Sequence, residues 1–176
     1  MRPRPAVAHH VLVNHGGRVT IAAMGKTGIK ALKREGDNAT PRVRIRPVAG
    51  LGRAVCPVPI PWRRVRRDDG WCDDLSTTRY NLPVRLPSPL RHETLMREDL
   101  LYDHILITDH NQRPRVRGAG SAIFIHVARP AMTPTAGCLA FPAAQWRHGI
   151  VPFGDYLVGV DPRPLRAKRS RLRRTP

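Results

Sequence analysis

A mainly β chain with a few helices is what this sequence predicts, and three observations lead there. Its 18 prolines in 176 residues would interrupt long helices, because each removes a backbone donor and clashes with the preceding turn. Four short runs (7–13, 18–24, 104–108 and 121–127) are rich in Val and Ile and are bounded by turn-forming residues. The length, with 41% hydrophobic and 25% charged residues, suits one domain that buries a core without metal or disulfide staples. That domain is expected over residues 1–162, with 163–176 a basic tail.

In chain order, residues 7–13 (VAHHVLV) and 18–24 (RVTIAAM) predict two strands around an Asn-His-Gly-Gly turn. Residues 25–37 read as a Gly- and Lys-rich loop; the phosphate-loop pattern is missing, because Thr20 stands where its first glycine is needed. Residues 42–48 alternate Val43, Ile45 and Pro47 with arginine, as a half-exposed strand does. Residues 57–89 are rich in Pro, Arg and Asp and carry Trp62, Trp71 and Tyr80. They predict a long irregular excursion pinned by aromatics, of the kind that often walls a binding site. The runs HILIT and SAIFIHV predict buried strands, residues 139–148 a helix with Trp146 on its apolar face, and 156–160 a closing strand.

Thirty-one Lys and Arg against 13 Asp and Glu give a net charge of +18, a balance that favours polyanionic partners. Arg63, Arg64, Arg66 and Arg67 form one basic cluster, and the tail from Arg163 to Arg174 forms another. Neither is joined by a stacking platform, a helix-turn-helix or zinc-finger spacing, so no specific nucleic-acid partner is expected. No transmembrane segment is expected, since no run reaches ~18–20 apolar residues. The N-terminus opens basic, but His9 and His10 interrupt its apolar stretch, and no signal peptide is recognisable. Three cysteines (Cys56, Cys72 and Cys138) without CxxC spacing indicate neither a zinc site nor a disulfide framework. A Cys56–Cys72 bridge would leave Cys138 as the odd thiol, and whether it forms stays open.

The chemistry concentrates in residues 120–142, GSAIFIHVARPAMTPTAGCLAFP. His126 ends a predicted strand, and Cys138 follows Gly137 just before the predicted helix. A helix N-terminus lowers a thiol pKa through its dipole, and a glycine lets main-chain N–H groups approach a developing oxyanion. His126 is then the natural base for a cysteine nucleophile. Spacing alone equally suits a buried structural Cys138 and a satisfied His126. His110, at the end of HILIT, suits either the cleft wall or a loop cap. Trp71 and Tyr80 suit either a glycan-facing wall or the packing of the excursion.

This stretch resembles the catalytic segment of the L,D-transpeptidases, the YkuD-type domain, whose signature is a strand-end histidine, a loop and a Ser/Thr-x-Gly-Cys turn. Here these are His126, Thr135, Gly137 and Cys138. The segments REGDNATP, DDGWCDD, RYNLPVRLP and HETLMREDLLYDHILITDHN are similar to those of one compact, stand-alone subgroup. The likeness spans residues 17–160. It implies a mixed β-sandwich with the catalytic Cys on a turn before a helix, and no metal or organic cofactor. It also implies a periplasmic or envelope location, although without a recognisable signal peptide a cytoplasmic one stays open, and a monomer acting on peptidoglycan stem peptides. Cys138 would be the nucleophile, His126 the base and acid, and main-chain amides at Gly137–Cys138 the oxyanion site. Much of that family places a histidine just before Gly-Cys and an arginine soon after, where this chain has Ala136 and Leu139-Ala140-Phe141. Arg129, with Thr135 and His110, then becomes the substrate-binding candidate. The competing expectation is a catalytically degenerate module that holds a polyanionic wall through its arginines.

Overall fold

The computed structural model describes residues 2–4, 7–15, 18–54, 59–148, 151 and 154–159. Strand accounts for 37% of the chain and helix for 4%, so the mainly β expectation holds. The first strands are β1 (Arg2–Arg4), β2 (Val7–His15), β3 (Arg18–Ala23), β4 (Ile29–Lys30), β5 (Thr40–Pro41), β6 (Arg44–Ile45) and β7 (Pro47–Gly52). Then come β8 (Trp62–Arg64), β9 (Asp69–Cys72), β10 (Pro83–Arg85), β11 (His92–Thr94) and β12 (His104–Thr108). The chain continues with β13 (Ile125–Val127), β14 (Leu139–Phe141), α1 (Ala143–Arg147) and β15 (Tyr156–Leu157).

Eight strands form the main sheet in the order β1-β2-β3-β14-β13-β12-β7-β8. A second sheet has the order β10-β9-β11, and β15-β6 and β4-β5 are two-stranded. The β2–β3 hairpin is antiparallel, with His15 opposite Arg18, as its two apolar runs and central turn predict; Gly16 and Gly17 lie outside the described residues. Alternate residues along the central strands bury opposite faces, as the period of two requires. Leu106, Ile125, Leu139 and Phe141 join Val11, Val13, Ala22 and Met24 in one core. Ile105, Leu51, Phe124 and Cys138 join Trp71, Leu95 and Tyr102 in the other. The register agrees, since Ile105 pairs with Leu51 across β7 and Leu106 with Ile125 across β13. Trp71 on β9 seats the second sheet over that second face.

Three sequence expectations are corrected. Residues 139–148 are not one helix. Leu139–Phe141 form a fully buried strand paired to β13 and β3, and pairing on both edges outweighs local helix preference. The helix begins only after Pro142, spans five residues and has no buried residue. The expected strand 121–127 is reduced to β13, because side chains take the backbone groups ahead of it. Asn81 Oδ1 accepts from the Ala122 N–H at 3.1 Å and Thr108 Oγ1 donates to Ile123 O at 2.5 Å. The excursion 57–89 contains β8, β9 and β10. It is nonetheless pinned by aromatics. Trp71 and Tyr80 are buried within it. Trp62 lies so close to β7 that a Cβ on Gly50 would stand 1.9 Å from its ring. The tail 163–176 and Cys56 lie outside the described residues.

Part of the basic cluster is committed to the fold. Asp69, 4% exposed, accepts from Arg63 at 2.7 and 3.0 Å, from Arg85 at 2.8 Å and from the Arg66 N–H at 2.8 Å. Burial by itself would raise this carboxyl, but the hydrogen bonds from Arg63 and Arg66 more than offset it and hold it below the ordinary range. Its stabilisation is therefore complete above that range and is lost as pH falls through the depressed value. Asp69→Asn is expected to cost about 2 kcal/mol in urea unfolding at pH 7, discounted because both arginines are half exposed.

Candidate active site

The site grows from a parallel crossover. Parallel neighbours cannot be joined by a tight turn, so the chain leaves β13, loops through residues 128–138 and returns beside it as β14. His126 pairs with Ala140. Cys138, two residues before Ala140, falls on the same face. Twelve positions of sequence separation thus become one side of two adjacent strands. His126 and Cys138 line a single cleft of about 230 Å³ together with Thr135, Arg129, Glu93 and Tyr102.

The turn before Cys138 is fixed by main-chain and threonine bonds. The Thr135 N–H donates to Met24 O and Thr135 O accepts from the Lys26 N–H, both at 2.9 Å. Thr135 Oγ1 donates to Cys138 O at 2.6 Å and accepts from the Gly137 N–H at 3.1 Å. Thr40 Oγ1 donates to Gly137 O at 2.9 Å and accepts from the Gly25 N–H at 2.9 Å. Gly137 has φ +144°, and a Cβ there would lie 2.8 Å from Ala39 O. Thr135 therefore lines the cleft, but its hydroxyl already has two partners within the turn.

Cys138 is 8% exposed. Its thiol donates to Ala122 O at 3.1 Å and accepts from the Phe124 N–H at 3.4 Å. The expectation of a thiol activated by a helix N-terminus is corrected. A strand follows Cys138, so no aligned peptide dipole points at it. Burial, reinforced by nearby Glu93, pushes the thiol up to about 12. The resting group is a neutral thiol.

His126, also buried, holds its ring by Nδ1 at 2.8 Å from Val127 O. A carbonyl only accepts, so Nδ1 carries the hydrogen and Nε2 keeps the lone pair. The Tyr102 ring meets the imidazole edge-on, with centroids 5.2 Å apart. Burial pushes His126 down to about 4. Between that value and the ordinary 6.5 the unfolded chain binds a proton that the fold refuses, so stability rises with pH across this window. Lowering pH from 7 to 5 is expected to cost about 2 kcal/mol through this residue. Urea unfolding of wild type and His126→Gln at both pH values checks it: the variant should lose that part of the difference, and equal differences would contradict it.

Arg129, 51% exposed at its side chain, stands at the cleft with one contact to Asp99 at 3.3 Å. Asp99 also takes Arg97 at 2.6 and 2.8 Å. The Arg97 hydrogen bond, ahead of the opposing effect of burial, holds Asp99 well below the carboxylate range. Arg97 lies over the Tyr102 ring, 5.3 Å from its centroid. Tyr102 OH donates to Glu93 Oε1, and burial raises Glu93 above the usual carboxylate value.

His110 is not brought to the cleft. Its Nε2 lies 3.2 Å from Ala119 O, and it serves the loop that returns to Gly120. Cys72, a free thiol like Cys138, is fully buried on β9. Glu93, Arg97 and Tyr102 escaped sequence reasoning; the only signal for them was the charged HETLMREDLLYD stretch, which says nothing of its distance to Cys138. Among the described residues no group of three His, Cys, Asp or Glu is arranged to hold a metal, and no helix is long and apolar enough to cross a membrane. Comparison of the chain with protein-family models, curated proteins and solved structures returns no match.

Proposed function

We propose that this chain is a cysteine acyltransferase of the L,D-transpeptidase type, acting on peptidoglycan stem peptides in the cell envelope. The observation that carries the reading is the β13–β14 crossover, which sets His126 and Cys138 on one face of adjacent strands lining one cleft. The Thr-x-Gly-Cys turn, braced by Thr135 and Thr40, supports it.

In this reading the substrate carbonyl meets Cys138 as His126 Nε2 takes the thiol proton. The sulfur–carbon bond forms, and the carbonyl electron pair moves to oxygen, where the Cys138 N–H receives it. Collapse breaks the carbon–nitrogen bond, and His126 returns the proton to the departing D-alanine amine. An amine from a second stem then attacks the thioester and gives its proton to His126; expulsion of the thiolate and its reprotonation restore the thiol. Water in place of the amine gives carboxypeptidase activity. A neutral thiol–imidazole pair fits this order, since proton transfer accompanies attack. In this reading Arg129, exposed at the cleft, would receive the donor's carboxylate.

The reading is tested with a tetrapeptide stem carrying a terminal D-alanine, by measuring free D-alanine with and without an acceptor stem. Release that depends on Cys138 supports it. No release from folded protein with either substrate set contradicts it.

A further inference from the structure

Asn81 is 1% exposed, yet every hydrogen-bonding position of its amide is filled. Oδ1 accepts from Trp71 Nε1 at 2.9 Å and from the Ala122 N–H at 3.1 Å. Nδ2 donates to Asn111 O at 2.9 Å and to His110 O at 3.3 Å. Ala122 is left-handed at φ +50°. An alanine adopts that conformation only at a cost of roughly 1–2 kcal/mol, so the surroundings must hold it there. The same Ala122 offers its carbonyl to the Cys138 Sγ–H at 3.1 Å. The Phe124 N–H, which donates to the same sulfur at 3.4 Å, is fixed independently, because Phe124 O accepts from the Leu139 N–H at 3.0 Å.

We propose that Asn81 is a positioning residue for Cys138: by holding the Ala122 peptide left-handed, it presents the carbonyl that keeps the Cys138 thiol proton turned away from His126. A carbonyl acceptor stabilises only the protonated sulfur, whereas the Phe124 N–H stabilises the thiolate. Removing the Asn81 amide therefore takes away the contact that favours the resting thiol and leaves the one that favours the thiolate. The other ionisable groups around the sulfur are Glu93 on β11, Arg97 and Tyr102 ahead of β12, His126 on β13, Arg129 on the loop after it and Lys33 beside Gly120. None is an amide partner of Asn81. The inference rests on Cys138 being the reactive group of the cleft, but not on the identity of its substrate.

Iodoacetamide alkylation of Cys138 and Cys72, followed by peptide mass mapping from pH 7 to 11, tests it without any peptidoglycan. Asn81→Gly keeps the φ +56° backbone of this position while deleting the amide. Cys138 in that variant is expected to react on the order of tenfold faster at pH 8, with its pH profile moved toward that of an ordinary thiol. Cys72 should stay protected. Unchanged Cys138 reactivity in Asn81→Gly would overturn the proposal. So would Cys72 rising in step with Cys138, which marks general loosening. Asn81→Ser is the second truncation if the glycine chain fails to fold. Altered alkylation with no D-alanine release in the wild type would sink the substrate reading and leave this one standing.

Discussion

Cys138→Ala is expected to abolish D-alanine release, and His126→Ala to lower kcat by about 10²–10⁴ with little change in KM. The first follows because, among the described residues, Cys138 is the one thiol lining the cleft: Cys72 is buried on β9, and the Thr135 hydroxyl is engaged in the turn. The second is the usual range for losing a positioned general base and acid. Here the base does most of the activation, because the thiol is held neutral by burial. An unchanged KM separates this loss from lost binding. His126→Ala also removes a buried ring that packs against Tyr102, so circular dichroism must show a folded variant before its kinetics are read. Retained release in Cys138→Ala would remove the nucleophile from the account.

Gly137→Ala is expected to cost roughly 2–4 kcal/mol in urea unfolding and to silence the site. About 1–3 kcal/mol is the usual cost of a side chain at a glycine-only backbone conformation. The rest comes from the new Cβ lying 2.8 Å from Ala39 O and 3.0 Å from the Ile123 side chain. Ala39 cannot retreat easily, because Thr40 beside it is bonded to Gly137 O and Gly25 N. The strain falls next to Cys138, so sulfur placement fails with it. Gly154→Ala is the matched control, since a Cβ there meets nothing within 4 Å. A similar cost at both positions would show that backbone entropy, and not this turn, sets the effect.

What could be read from the sequence, and what could not, follows the range of each interaction. The β2–β3 hairpin and the HILIT strand were legible because their Val- and Ile-rich runs and turn residues lie within a few positions. Gly137 and Cys138 were legible as a turn with a thiol. Their surroundings were not. Leu139–Phe141 carries helix-compatible residues, and pairing with β13 on one edge and with β3, more than a hundred positions earlier, on the other makes it a strand. That same pairing removes the expected dipole from Cys138. Residues 121–124 look like one strand with 125–127 until the side chains of Asn81 and Thr108 claim their backbone groups. Glu93, Arg97 and Tyr102 reach the cleft through the second sheet and the loop before β12, contacts that no local period encodes.

The most direct test of the central claim is the intact mass of the purified protein after incubation with a carbapenem, which mimics the acyl donor and would be held as a thioester. A Cys138→Ala chain runs alongside. The account predicts one adduct on the wild type and none on the variant. An unmodified wild type, shown to be folded, or an adduct that persists without Cys138, would contradict it.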